Sequence, residues 1–274
     1  MNRDQHMGLP ISDYREFRPP PALAGYLLCF WTQTIHASSG FKQRVLPDCC
    51  VDILLVNGLP MVIGPWTEPF DANLPPGTHI LGARCHPGLA SSLLGLPASE
   101  LLNLSVPLAE LWGRGGIAAY SRVPDQAALV GQVAAMEKAL LARVANAPPV
   151  DHETRAAIQW IAQNPSARVE RMSKWLGMSS RQLQRRFVIS AGYGPKMFQR
   201  VLRFQRLLNE AHRAGPRRTL ADLAANAGYS DQAHMTREVQ RFASCSPALL
   251  LRSVASTLSM SDLFKTENSP TNYR

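Results

Sequence analysis

The apolar residues of this chain change rhythm partway along. From 25 to about 83 they come in short runs cut by turn residues. Gly25-Tyr26-Leu27-Leu28-Cys29-Phe30-Trp31, Val51–Val56, Met61–Ile63 and His79–Leu81 are the runs; Asn57-Gly58 and Pro75-Pro76-Gly77 are among the cuts. This punctuation predicts strands, and several in succession predict a small barrel or sandwich. From Leu89 the spacing turns helical, first in pieces broken at Pro97 and Pro107. Residues 125–144 then predict one longer helix, because Leu129, Val133, Met136, Leu140 and Val144 recur at three- and four-residue steps. That stripe suits packing within its own domain, and its heptad-like spacing also makes it the candidate dimerisation helix.

Beyond Ala147-Pro148-Pro149, the best domain boundary, the pattern is helical throughout. Helices are predicted over His152–Asn164, Val169–Leu176, Ser180–Ile189, Met197–Ala211, Leu220–Ala227 and Asp231–Phe242, with a last turn opening at Ser246-Pro247. The expected organisation is a β-rich domain with helices over 1–147, an all-α domain over 151–252 and a flexible tail over 253–274. Residues 1–22 read as an arm.

Within the helical part a short pattern occurs twice. Gly177-Met178-Ser179-Ser180 opens a run with Leu183 and Phe187 on one face; Gly228-Tyr229-Ser230-Asp231 opens a run with Met235 and Val239 on one face. A short apolar helix, a glycine that accepts positive φ, a hydroxyl cap and a second helix make a helix-turn-helix. Ser179 is the expected cap of the first unit and Ser230 of the second. On the first second helix, Arg181, Gln184 and Arg185 share the face opposite Leu183 and Phe187. Arg and Gln make paired hydrogen bonds to guanine and adenine edges in the major groove. Arg186 points elsewhere, toward phosphate or solvent. On the later helix Gln232, Ala233, His234 and Arg237 are left for the groove. Two such units on one body would enter successive major grooves, roughly 34 Å apart.

Charge sharpens the picture. The net charge is +9, yet residues 151–252 hold 17 Lys/Arg against 7 Asp/Glu, while residues 1–150 hold 10 against 11. The excess sits on the repeated motif, as a polyanionic partner requires. Double-stranded DNA is therefore the expected partner.

At this point the motifs define a resemblance. Gly177-Met178-Ser179, Leu183-Gln184-Arg185-Arg186-Phe187, Arg203-Phe204-Gln205-Arg206, Gly228-Tyr229-Ser230-Asp231-Gln232-Ala233-His234 and Ser246-Pro247 make residues 151–252 similar to the DNA-binding domain of AraC/XylS-type transcriptional regulators. The resemblance implies that Arg181, Gln184 and Arg185, then Gln232, Ala233, His234 and Arg237, stand at the base- and phosphate-contacting positions. It also implies RNA polymerase as a partner if the protein activates transcription. The family usually has Phe where Met235 and Val239 stand and Gly where Ser244 stands. The N-terminal half is more weakly similar to cupin-like sensor domains, through Leu46-Pro47-Asp48, Cys50-Val51-Asp52, Gly64-Pro65, Gly82-Ala83-Arg84 and His86-Pro87-Gly88. The fold class expected is thus α+β, a β-rich cupin-like barrel followed by an all-α double helix-turn-helix domain.

The N-terminal half offers two further chemistries. Trp31, Cys50, Asp52, Trp66, Arg84 and His86 are candidate lining for a small-molecule effector pocket. The same residues also suit a plain core with an Asp52–Arg84 structural pair. Cys85, between Arg84 and His86, is the candidate for a thiol- or alkylation-sensing alternative, since a nearby cation lowers a thiol pKa. No metal site is expected, because His79 and His86 are seven apart with no second pair. No catalytic residues and no cofactor are expected, so an enzyme is not. Five cysteines without framework spacing suit a reducing, cytoplasmic setting. The run from Val51 to Trp66 is too broken to span a membrane, and Asp4 in an N-terminus lacking an apolar segment predicts no signal peptide. A homodimer is expected.

Overall fold

The computed structural model describes residues 12–38, 40–113, 129–214 and 218–256. The expected arm before Ser12, residues 125–128 of the long helix and the tail from 257 lie outside them.

A β-rich N-terminal region precedes a helical C-terminal one. Strands β1 (Ser12–Phe17), β2 (Leu27–Ile35), β3 (Phe41–Val45), β4 (Asp52–Val56), β5 (Leu59–Ile63), β6 (Phe70–Leu74), β7 (His79–Cys85) and β8 (Ser105–Pro107) alternate with turns. Six of them form an open antiparallel sheet in the order β1-β2-β7-β4-β5-β8, and β3 and β6 pair as a separate ribbon. Asn57 and Gly58 join β4 to β5 with φ of 46° and 83°, the two positive values that a two-residue hairpin turn needs. Part of the expected arm is not an arm, because Ser12–Phe17 pairs along β2 as an edge strand.

Side chains alternate across the sheet, so its two faces bury different sets. Phe30, Ile53, Val62, Leu81, Ala83 and Cys85 point to one face and pack with Leu93, Leu94, Met136 and Leu140. Those partners come from α1 (Ala90–Leu94) and α2 (Leu129–Val144). The α2 stripe is thereby occupied: Met136 and Leu140 are fully buried, and Val133 and Val144 lean on the same core. The opposite face carries Trp31, Leu54 and Ile80 with Leu74 from the ribbon. Gln33 Nε2 donates to Gln43 Oε1 at 2.9 Å, tying ribbon to sheet.

The C-terminal region has seven helices among the described residues: α3 (His152–Gln163), α4 (Val169–Trp175), α5 (Ser180–Ala191), α6 (Pro195–Ala214), α7 (Leu220–Ala227), α8 (Gln232–Ala243) and α9 (Pro247–Ser256). Residues 253–256 of the expected tail thus continue a helix. Long α6 runs through the centre and buries Phe198, Val201, Phe204 and Leu208 against Leu183 and Phe187 of α5 and Met235, Val239 and Phe242 of α8. Each fully buried Phe contributes about 1.5–3 kcal/mol by leaving water. Met235 and Val239, smaller than the aromatic residues usual there, are completely buried beside the Phe204–Phe242 ring pair.

Ser244 ends α8 in the left-handed region, φ 53°. A Cβ there costs about 1–2 kcal/mol, against roughly 0.5–1 kcal/mol of extra chain entropy that glycine loses on folding. Ser244→Gly should therefore stabilise the protein by about 0.5 kcal/mol, read as a higher urea midpoint at unchanged m-value. A lower midpoint would show that the serine side chain outweighs its strain.

Candidate nucleic-acid interface

The first helix-turn-helix is built as its sequence dictates. Met172 and Ser173 of α4 are buried at the crossing, and Gly177 turns the chain with φ 64°. Ser179 caps α5 in a closed capping box: Gln182 N donates to Ser179 Oγ at 3.2 Å, and Ser179 N donates to Gln182 Oε1 at 3.0 Å. Above buried Leu183 and Phe187, the side chains of Arg181, Gln184 and Arg185 are exposed on α5. Gln184 lies over Gly194, which leaves room for its amide. Arg186 departs from expectation. Its Nη1 pairs with Asp151 at 2.9 Å and Glu153 at 3.4 Å, at the capped start of α3, so it is committed to the protein.

The second unit differs at its caps. Thr219 and Asp222 form a capping box on α7. The expected cap of α8 was Ser230; the structure uses Asp231, whose Oδ1 accepts from His234 N at 2.7 Å. A carboxylate is the stronger acceptor and matches the helix dipole, and those contacts hold its pKa below the usual range. Ser230 Oγ instead donates to Asp231 Oδ2 at 3.0 Å and meets His234 Nδ1 at 3.1 Å. His234 is therefore half-buried and anchored, whereas Gln232, Ala233 and Arg237 are exposed. The motif arginines of α6 are structural: Arg203 Nη2 donates to Pro165 O at 2.9 Å, and Arg206 donates to Ala162 O.

The six candidates for an effector pocket do not form one site. Trp31, Asp52 and Arg84 come together, as the registers Trp31↔Gly82 and Asp52↔Arg84 require. Trp31 Nε1 donates to Asp52 Oδ1 at 3.0 Å, Arg84 Nε to the same oxygen at 3.1 Å, and Arg84 Nη2 to Asp52 Oδ2 at 3.2 Å. Asp48, missing from the candidates, completes the cluster at 3.8 Å from Arg84. Burial works against the Arg84 charge, but Asp52 and Asp48 outweigh it and hold the guanidinium firmly protonated. Burial also dominates at Asp48 and raises its carboxyl, although Arg84 opposes. Cys50 is buried nearby and its backbone N–H donates to Asp48 Oδ1 at 2.9 Å. Trp66 stacks on Phe70 elsewhere, with centroids 4.1 Å apart, and His86 Nε2 meets Ala24 O at 3.2 Å. Cys85 is also corrected: strand alternation sends it to the face opposite Arg84, where burial raises the thiol rather than a cation lowering it.

The two regions touch at several places, among them the loop after β3. Pro47 O accepts from Gln205 Nε2 of α6 at 2.5 Å. Cys49, in the left-handed region with φ 67°, packs into the helical core and points its thiol at Phe198 O, 3.8 Å away. Gly192, after α5, meets Pro65 and Ala98 so closely that a Cβ would lie 2.6 Å from Pro65 Cγ. Nothing in the local sequence pattern marks these contacts.

Residues 172–253 match a family described as a helix-turn-helix domain, and residues 15–107 match a domain of unknown function (DUF6597). The C-terminal region thus contains a helix-turn-helix domain. No curated protein matches. Among solved structures, the chain is similar to a probable AraC family transcriptional regulator from Rhodopseudomonas palustris, with 24% identity over 38% of this chain and 98% of that one, TM-score 0.34. It is also similar to ToxT from Vibrio cholerae, with 9% identity over 89% of this chain and 98% of that one, TM-score 0.46. Among the described residues no helix is long and apolar enough to cross a membrane.

Proposed function

We propose that this chain reads a specific duplex sequence by placing α5 and α8 in successive major grooves. A regulatory half, residues 1–147, governs a reading half, residues 151–252. The observation that carries this reading is the division of each second helix. Arg181, Gln184 and Arg185 stand exposed over buried Leu183 and Phe187, and Gln232, Ala233 and Arg237 stand exposed, with His234 half-buried beside them, over buried Met235 and Val239. Arg and Gln supply base-edge chemistry, and the surrounding excess of Lys and Arg supplies phosphate attraction.

The test is selection by the full chain from a randomised duplex pool at moderate and high salt. Two enriched blocks about one helical turn apart support the reading; salt-sensitive binding without enrichment overturns it. On the selected site, Arg181→Ala and Arg237→Ala should each weaken binding roughly tenfold, each relaxing preference in a different block. Arg186→Ala should leave sequence preference intact, because its partners are Asp151 and Glu153.

The reading extends to control in a cytoplasmic setting. The β-rich half would take a small-molecule effector, and the protein would act as a homodimer and, as an activator, with RNA polymerase. An effector must raise the melting temperature of the full chain, since binding to the folded state stabilises it.

A further inference from the structure

The ribbon of β3 and β6 reaches the second reading helix. Arg44 on β3 gives Nε and Nη2 to the two carboxylate oxygens of Asp71 on β6, at 3.0 and 3.3 Å. This fork–fork pairing fixes the guanidinium plane and leaves Nη1 facing outward. Nη1 donates to Ala243 O, the last residue of α8, at 3.3 Å. The carbonyls ending a helix have no partner within it, and the negative end of the helix dipole favours a cation. Asp71 is also met by Lys42 Nζ at 3.0 Å, and these partners lower its carboxyl to about 2, so the pairing stays ionised at any working pH. Meanwhile the loop at Pro47 and Cys49 holds the same ribbon end against α6, beside α5.

The geometry points to Arg44 as a positioning residue: held by Asp71, it clamps the C-terminus of α8 and fixes the second reading helix relative to the first. The inference rests on the two-groove reading above. The clamp sets how rigidly the protein demands one spacing between the two blocks of its site. Each inserted base pair turns the second block by roughly 35° about the duplex, which a rigid pair of readers cannot follow.

The experiment uses the full chain, its Arg44→Ala and Asp71→Asn variants, and duplexes in which the selected blocks are moved apart or together by one base pair. Wild type should lose about tenfold in affinity for either shift, the cost of a misplaced base contact. Both variants should reduce that loss to threefold or less, while binding to a duplex carrying only the first block stays unchanged. Arg44→Lys keeps the charge without the fork and should resemble Arg44→Ala. A spacing profile in Arg44→Ala as sharp as wild type overturns the clamp. Hydrogen exchange without DNA provides the second readout. Amides of 243–250 should exchange faster in Arg44→Ala while those of α5 hold their wild-type rates; unchanged exchange at 243–250 also overturns the clamp. If wild type selects no sequence, the two-groove reading has failed, and the exchange result alone decides the clamp.

Discussion

Arg84→Met should destabilise the protein by about 3–5 kcal/mol and make its stability depend steeply on pH. Arg84 is 5% exposed and answers two carboxylates, Asp52 and Asp48. Removing the cation leaves both acids buried without their counter-charge. Burial raises the carboxyl of Asp48 even with Arg84 present. A carboxyl raised above its unfolded value binds more protons when folded than when unfolded. Stability from that group is therefore complete below the unfolded pKa and lost as pH rises through the folded one. Arg84→Met should be closest to wild type near pH 4.5 and furthest from it near pH 8, in urea unfolding followed across that range. A pH-independent deficit would mean that lost packing on Trp31, and no carboxylate penalty, sets the cost. Asp48→Asn combined with Arg84→Met should recover part of the loss.

The second large effect is expected at the contact between α6 and α8. Arg200 gives Nε at 3.0 Å and Nη2 at 2.7 Å to Glu238 Oε1, and lies over the Phe242 ring. The two partners are unequally buried, with side-chain exposures of 25% for Arg200 and 7% for Glu238. Arg200→Met strands a carboxylate in the core and should cost about 3 kcal/mol; Glu238→Met leaves an arginine that can reach water and should cost about 1–2 kcal/mol. Equal costs, or a larger one for Glu238→Met, would contradict this asymmetry. A double-mutant cycle on the denaturation midpoints isolates the pair.

What the chain alone reveals follows from which forces are local. The helix-turn-helix units were legible because a 3.6-residue stripe, a turning glycine and a capping hydroxyl are all near in sequence. The Asn57-Gly58 hairpin was legible for the same reason. Strands β1 and β3 were not, since Ser12–Phe17 and Phe41–Val45 sit at an edge or in the ribbon and carry polar residues on both faces; β6 alternates Phe70, Ala72 and Leu74 with Asp71 and Asn73, a signal kept weak by its five-residue length. Charged groups were read by type and missed by partner. Arg186 suits phosphate by type, yet its acceptor Glu153 lies 33 residues away; the motif residues Arg203 and Arg206 likewise find theirs 38 and 44 residues away. Asp48 escaped notice because its meaning depends on Arg84, brought near only by sheet pairing. The Asp52–Arg84 pair was legible as a structural pair, and the α2 stripe as packing for its own region.

Cys49 has a consequence for how such a regulator could be assembled by gene fusion. The chain offers an obvious joint at Pro148-Pro149, where a different front half could be spliced without breaking any helix. The helical core, however, includes Cys49, with Leu46 and Leu102 against it, all from the front half. A chimera joined at the prolines would inherit a reading head with a hole in its side, unless the new front half brought its own plug. Recombination in this lineage should therefore keep the stretch around 46–50 together with the helices it fills, and a swap that respects the covalent joint but not this plug should express poorly.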